Sequence, residues 1–434
     1  MKRILAVAVP ISARFWNSDT FSSLSIMGIR VGMLAAKFIL SIFIARYMGL
    51  EALGIYGLIV GAAGIIQTVL RGGVFTFISR DAVKQPIGEI THHLRHYGTG
   101  MVFLYLLLVP VALAAGWHFD DPVLAMLILG VFFTEHISFD VFVIINNLQY
   151  SRLANVVFSL QSGAWIYPFV LFAFLYPSLR SLEAVLAFWV GGGLIALAIT
   201  AWLARGWPWK EAFSRKLELI WYSDKIKKSF KLYLADVLGV VNYYMDRYIV
   251  TLFLSLEMTG IYVFFSQVVT ATWNLVNSGV LIVYNARLIR AYDRNNPGPF
   301  NEQFRECMTR AGLSTIALSI FAGVAVPVLV RFTDNEALVS HIPLLWIMLI
   351  AVFFKVGETA AGTCLFAMHR DRDAFIIGLI GLFITAIIGS AGVIFFGVYG
   401  IVFNMVIVCT SGMLYTRSVW IKTSSDRNGE TQHV

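Results

Sequence analysis

The strongest constraint on this chain is a recurrence of apolar stretches, each long enough to cross a bilayer and each followed by a short polar break. A spanning helix needs about 20 mainly apolar residues. Runs bounded by charge, Gly or Pro mark twelve expected spans: 22–48, 53–78, 97–116, 122–147, 153–176, 183–204, 229–255, 259–284, 311–331, 341–368, 374–396 and 399–421. Only Gly397-Val398-Tyr399-Gly400 parts the last two, so a tight hairpin is expected there. Charged residues make up 13% of the chain and hydrophobic ones 58%, where soluble domains carry about 25% and about 45–50%. Too little polar surface remains for a water-soluble exterior, so an all-α polytopic membrane protein is expected.

The loops set an expected orientation. Lys and Arg crowd the amino-terminal segment, every second loop and the tail, whereas the other face offers only Arg46, Arg180 and Arg331. Cytoplasmic loops collect positive charge, which places both termini in the cytoplasm. The formal net charge of +8 is then a topological signature, and no nucleic-acid partner is needed. Residues 1–21 contain an apolar run too short to span and no cleavage site, and read as an interfacial segment. The chain divides into an N-lobe at 22–204, a basic connector at 205–228 and a C-lobe at 229–421, with a tail at 422–434. The connector, rich in Trp and Lys, suits an anionic leaflet. Cys307, Cys364 and Cys409 show neither C-x-x-C spacing nor a neighbouring His cluster, so they read as packing residues, and no metal or cofactor is expected.

An internal repeat accompanies the spans. Leu50-Glu51-x-x-Gly54-Ile55-Tyr56 recurs as Leu256-Glu257-x-x-Gly260-Ile261-Tyr262, and at the same 206-residue offset Gly73-Val74 recurs as Gly279-Val280. Both copies join a first span to a second in the same sense, so the halves are parallel repeats. Two such six-helix bundles around a central cavity form the architecture of an alternating-access transporter.

Ionisable residues inside spans cost roughly 2.5–3.5 kcal/mol each on insertion scales and face a bundle interior or a wet cavity. Arg30 and Lys37 lie seven residues apart, nearly two turns, on one face of span 1. Arg71 precedes Gly72-Gly73, where the helix should open, because paired glycines weaken it. Arg247 and Lys355 add positive charge from the second half. These five are the candidate substrate-binding residues, and their sign favours a diphosphate or other anionic headgroup. Asp246 and Arg247 are adjacent and diverge by about 100°, so each should find a separate partner. Lys355 and Glu358 have the i, i+3 spacing of an ion pair, which is as good a structural reading as a site. Glu135, His136 and Asp140 in span 4 could carry protons or form an interior hydrogen-bond network. Asp246, Glu358, Asp140 and Glu135 are the candidate ion-coupling or gating residues. Trp117, Trp165, Trp202, Trp207 and Trp420 are expected as interfacial anchors.

The segment Ala45-Arg46-Tyr47-Met48-Gly49-Leu50-Glu51-Ala52-Leu53-Gly54-Ile55-Tyr56, the Gly72-Gly73 helix, and Asp246-Arg247 with Thr259-Gly260-Ile261-Tyr262 resemble the polysaccharide-export branch of the multidrug, oligosaccharidyl-lipid and polysaccharide flippase superfamily. The resemblance implies an O-antigen-type flippase that moves an undecaprenyl-diphosphate-linked oligosaccharide across a bacterial inner membrane. It further implies ion coupling, a role for Arg30, Lys37 and Arg71 toward the diphosphate and sugar, Arg247 and Lys355 on the opposite wall, and Asp246 as a coupling or gating residue. A polysaccharide polymerase and a chain-length regulator would be its partners. Lipid II flippases of the superfamily usually have fourteen spans, and twelve disfavours that branch. Two alternatives stand beside this reading. One is a multidrug or small-molecule cation antiporter of the same fold. The other is a membrane-embedded polymerase or ligase, for which the short outer loops offer no acid/base or nucleophile arrangement.

Overall fold

The computed structural model describes residues 19–82, 85–216, 219–293, 297–368 and 370–430, and every expected span is helical in it. In chain order the helices are α1 (Asp19–Tyr47), α2 (Leu50–Leu70), α3 (Val74–Asp81), α4 (Ile87–His118), α5 (Pro122–Asn147), α6 (Ser151–Ser159), α7 (Ile166–Leu175), α8 (Leu182–Ala204) and α9 (Trp209–Ser214). They continue as α10 (Leu219–Phe253), α11 (Leu256–Val276), α12 (Ile282–Asp293), α13 (Pro297–Arg331), α14 (Glu336–Ser340), α15 (Ile342–Ala367), α16 (Asp371–Ile384), α17 (Ser390–Phe396) and α18 (Val398–Glu430). Among the described residues ten helical stretches are long and apolar enough to cross a membrane. The other two expected spans form α10 and α11, whose polar side chains lower their hydropathy. The chain is a multi-pass, all-α membrane protein. The interfacial reading of 1–21 falls almost wholly outside the described residues.

Three spans contain a wide π turn that sequence periodicity does not reveal: Leu160–Ala164 between α6 and α7, Asn277–Leu281 between α11 and α12, and Thr385–Gly389 between α16 and α17. Such bulges insert a residue into the helical ladder and locally loosen it. The expected opening after Arg71 is present. Span 2 stops at Leu70, Gly72 and Gly73 take φ of 57° and 75°, and the chain resumes as α3. That left-handed conformation carries little steric cost only for glycine.

The repeat is expressed in the backbone. α2 and α11 are both 21 residues long and start 206 positions apart, and each is followed by a break, the Gly72-Gly73 turn in one and the Asn277–Leu281 π turn in the other.

Packing groups the chain into two units: one contains α1 as far as Leu40 together with Ile66–Tyr233, the other Ser41–Ile65 together with the chain from Leu234 onward. The α1–α2 hairpin thus belongs with the second half. The reason lies in the repeated motif, because Gly54 sits against the Leu256 carbonyl while Gly260 sits against the Leu50 carbonyl. The contact is reciprocal, and a Cβ at either glycine would collide with backbone. Small residues of this kind let membrane helices approach closely. Arg46 fastens the same hairpin, pairing with Asp334 at 2.6 Å and donating to the Phe332 carbonyl at 2.9 Å.

In the first unit the connector is more ordered than a surface loop. Trp207 and Trp209 stack with ring centroids 6.1 Å apart, and the Trp209 indole donates to the Ala204 carbonyl at 2.8 Å. α9 then packs on α4, where Arg215 meets Glu89 at 2.8 Å. From Leu219 the connector is already helix, so its basic stretch extends span 7 toward its amino end. Trp165 departs from its expected place. It is 5% exposed and stacks on Trp189 at 5.9 Å, because the π turn beside it rotates the ring inward, whereas Trp117 and Trp202 are exposed as an interfacial residue would be.

Candidate functional site

Each unit carries its own polar constellation. In the first, α1 is held to α6 and α7 by three contacts: Arg30 Nε donates to Asn155 Oδ1 at 3.2 Å, Tyr167 donates to the Gly32 carbonyl at 2.8 Å, and Gly163 of the π turn lies against the backbone of Met33. Arg30 therefore has a neutral amide as its partner. Lys37, two turns along, is exposed, and its charge acts on Glu135 of α5. The Glu135 carboxylate accepts from the Trp189 indole at 2.8 Å.

One helical turn beyond Glu135 lies a buried network. Arg71 Nε meets Asp140 Oδ1 at 2.7 Å, and its guanidinium sits 4.4 Å from the centre of the Phe139 ring. The other oxygen, Oδ2, accepts the Tyr97 hydroxyl at 2.5 Å and lies 3.3 Å from His136 Nε2. His136 Nε2 is also 2.8 Å from Tyr97 Oη, and its Nδ1 is 3.1 Å from the Tyr105 hydroxyl. With the Tyr97 proton directed at Asp140, Tyr97 Oη and Asp140 Oδ2 both face His136 Nε2 as acceptors. The group forms one connected interior network. Arg71 is an internal partner of Asp140, although one of its terminal nitrogens, Nη2, stays buried without a hydrogen bond.

In the second unit Asp246 and Arg247 take separate partners, as their divergence requires. Asp246 accepts the Tyr262 hydroxyl and, at 2.8 Å, the backbone amide of Arg247. Arg247 is 7% exposed, donates to the Gly57 carbonyl at 2.9 Å and lies over the Tyr244 ring at 5.0 Å. Lys355 and Glu358 form the expected i, i+3 pair at 2.8 Å, and the Cys409 thiol adds a contact to the same Glu358 oxygen at 3.4 Å.

A cavity of about 90 Å³ brings Asp246, Arg247, Lys355, Tyr262, Trp273 and Asn404 together. That volume holds a few waters or a small ion and lies far below the roughly 300–1,000 Å³ of a small-molecule pocket. Lys355 also lines a second, open cavity of about 470 Å³ with Glu358, Gly362, Phe366, Ile377 and Thr416. Among the described residues no group of His, Cys, Asp and Glu is placed to hold a metal ion.

Sequence reasoning missed the hydroxyl and amide partners: Tyr97 and Tyr105 around Asp140, Asn155 beneath Arg30, and Thr385 with Asn242 and Asn404 in the wall of the Asp246 cavity. Tyr262 was visible as a repeat identity, though its role as an Asp246 donor was not. Counting charges alone also overstated the positive character. The nine candidates comprise five cations and four acids, and Arg71 and Lys355 are each spent on one of those acids.

No protein-family model and no curated protein sequence matches the chain. Its fold matches solved structures throughout. An inward-facing multidrug-resistance MATE-family transporter of the MOP superfamily superposes with a TM-score of 0.71 at 12% identity, covering 93% of this chain and 99% of that one. The lipid II flippase MurJ in an inward closed conformation gives 0.65 at 15% identity, over 92% and 87% of the two chains. A MOP-superfamily transporter from Pyrococcus furiosus, described as having a binding pocket of reversed polarity, gives 0.56 at 13% identity over 92% and 95%. The protein has the fold of MOP-superfamily transporters and flippases.

Proposed function

We infer that the protein is a transporter that flips an anionic, lipid-linked substrate, an undecaprenyl-diphosphate-linked oligosaccharide, across a bacterial inner membrane by alternating access coupled to an ion. Both termini would lie in the cytoplasm, as the loop arginines and lysines favour.

One observation carries the reading. Arg30 and Arg247, one in each unit, are hydrogen-bonded to neutral groups, an amide and a carbonyl, which orient each guanidinium, and the adjacent Asp246 carboxylate also acts on Arg247. A phosphate would add charge-assisted bonds that strengthen away from water. Asp140 and Glu358 are taken up by Arg71 and Lys355 and act as structural ion pairs. Asp246 and Glu135 are hydrogen-bonded by neutral donors, Tyr262 and a backbone amide for one and the Trp189 indole for the other, while Arg247 and Lys37 act on them through their charge; we assign these two acids the exchange of a proton or cation during transport. The small Asp246 cavity has the size for that task and excludes the sugar.

Complementation of a strain lacking its own flippase tests the reading. Arg30→Gln should abolish surface polysaccharide at normal membrane protein levels, whereas Arg30→Lys should retain part of it. Full polysaccharide from Arg30→Gln would remove Arg30 from the substrate path.

A second reading, an antiporter of organic cations, draws on a different feature of the second unit, where Asp246 lies among Tyr243, Tyr262 and Trp273, a surrounding that also suits cation–π contact. Drug resistance conferred on a sensitive host, lost in Asp246→Asn and unaccompanied by any polysaccharide change, would favour it over the first.

A further inference from the structure

A third constellation lies apart from both. Where α12 and α13 diverge, a cavity of about 360 Å³ is lined by Gly279 of the π turn, Tyr284, Arg287, Arg310, Leu313 and Ser314. The two guanidiniums converge on one ring, Arg287 at 5.0 Å and Arg310 at 6.0 Å from the centre of Tyr284. Tyr284 is 3% exposed, and its hydroxyl is set against the Glu306 carboxylate. Glu306 pairs with Arg310 at 2.6 Å and neutralises one of the two cations. The same carboxylate also acts on Arg287, so one negative charge is set against two positive ones.

An apolar track begins at this cavity. Leu313, Ile316, Ile320, Val324 and Val328 recur at helical spacing on one face of α13, and each is about half or more exposed. At 1.5 Å per residue the track runs about 22 Å, longer than the hydrocarbon half of one leaflet, which is about 15 Å. Two arginines and a tyrosine at the head of a lipid-length apolar track match the two ends of an amphiphile.

We propose that the α12–α13 cavity binds the phosphate headgroup of an anionic glycerophospholipid, whose acyl chain lies along the exposed face of α13. Arg287 and Arg310 supply charge-assisted bonds to phosphate oxygens, and Tyr284 donates its hydroxyl to the same group. The ring between the guanidiniums keeps them from spreading apart. Basic pockets between membrane helices recognise headgroups in this way. The proposal is independent of the transported substrate, because none of these residues belongs to the Arg30 or Arg247 constellations.

Native mass spectrometry of the full chain in a neutral detergent tests it, with phosphatidylglycerol, phosphatidylcholine, undecaprenyl phosphate and inorganic phosphate as separate probes. Phosphatidylglycerol should remain bound where phosphatidylcholine is lost. The double variant Arg287→Gln/Arg310→Gln should weaken its retention at least tenfold. Tyr284→Phe, which preserves the packing, should weaken it about threefold, and Arg305→Gln on the same helix should leave it unchanged. Equal retention of phosphatidylglycerol by the double variant and the parent overturns the proposal, as does equal binding of phosphatidylcholine. Inorganic phosphate competing at the lipid's own concentration would make this a free-anion site. Undecaprenyl phosphate displacing phosphatidylglycerol with the same arginine dependence would make it a substrate subsite. Either outcome refutes the glycerophospholipid assignment.

Discussion

The reciprocal contact between the two copies of the repeated motif makes a quantitative prediction. In Gly260→Ala the new methyl group would meet the Leu50 carbonyl, and in Gly54→Ala it would meet the Leu256 carbonyl. The obstacle is backbone in both cases, so no side chain can swing away, and relief requires the α2 and α11 starts to separate. Overpacking of this kind costs typically 1–3 kcal/mol. If the packed arrangement is one of two states the protein visits, that cost shifts the balance toward the separated one by about 5- to 150-fold. Leu53, fully buried at the crossing, is the reporter position. In a Leu53→Cys background, labelling by a membrane-impermeant maleimide should speed up by at least fivefold when Gly260→Ala is added, and by a similar factor with Gly54→Ala. The native cysteines Cys307, Cys364 and Cys409 are buried and should contribute little background. One separation relieves both clashes, so the double glycine variant should fall short of the product of the two single effects. Labelling within twofold of the parent, or full multiplication of the two effects, would refute the idea that the motifs form a single separable crossing.

Three further outcomes follow from the ion pairs and the buried tryptophans. Asp140→Asn leaves the Arg71 charge without its acid and should cost about 3 kcal/mol, seen as a lower melting temperature in detergent; adding Arg71→Gln should recover most of the loss, and a double variant as unstable as the two losses combined would contradict the pairing. Lys355→Met should destabilise by about 2 kcal/mol, a smaller loss because both partners retain some exposure, and Glu358→Gln should offset it in the same melting experiment. Trp165→Phe should cost about 1 kcal/mol through the lost stack on Trp189, whereas an unchanged melting temperature would mean that the ring contributes no more than a lipid-facing anchor.

Much of the scaffold was legible because a bilayer leaves so few options. Each apolar run had to be a helix, with its backbone groups satisfied internally, and the charge placed around Arg71 and Lys355 had to meet an acid or water. The Lys355–Glu358 pair could be read directly, since i, i+3 spacing puts both on one face. The Arg71–Asp140 pair could not, because the two lie 69 positions apart with two helices between them and nothing local marks them as neighbours. Tyr97 and Tyr262 were hidden for another reason: in a hydropathy count a tyrosine passes as an apolar filler, and only the fold reveals which hydroxyl meets a carboxylate. The π turns escaped for a related reason. They alter the phase of a helix by a single residue, and in a largely apolar stretch such as Thr385–Gly389 there is no polar stripe whose rotation would betray the shift.

The two halves have kept their mechanics and lost their common chemistry. At the 206-residue offset, α2 and α11 coincide end for end, the glycines at their starts still pack on each other's backbone, and both helices break at the same place. The side chain opening the break, however, is Arg71 in one copy and Asn277 in the other, and Asp246 falls opposite Leu40. The proposed alternating access needs a crossing that can part and a helix that can bend in each repeat, and these devices are the duplicated ones. A ligand that is not itself two-fold symmetric needs its charged contacts only once. The divergence of Arg71, Asp246 and Arg247 from their repeat partners fits the proposed function, in which the substrate, a lipid diphosphate bearing a sugar chain, is asymmetric.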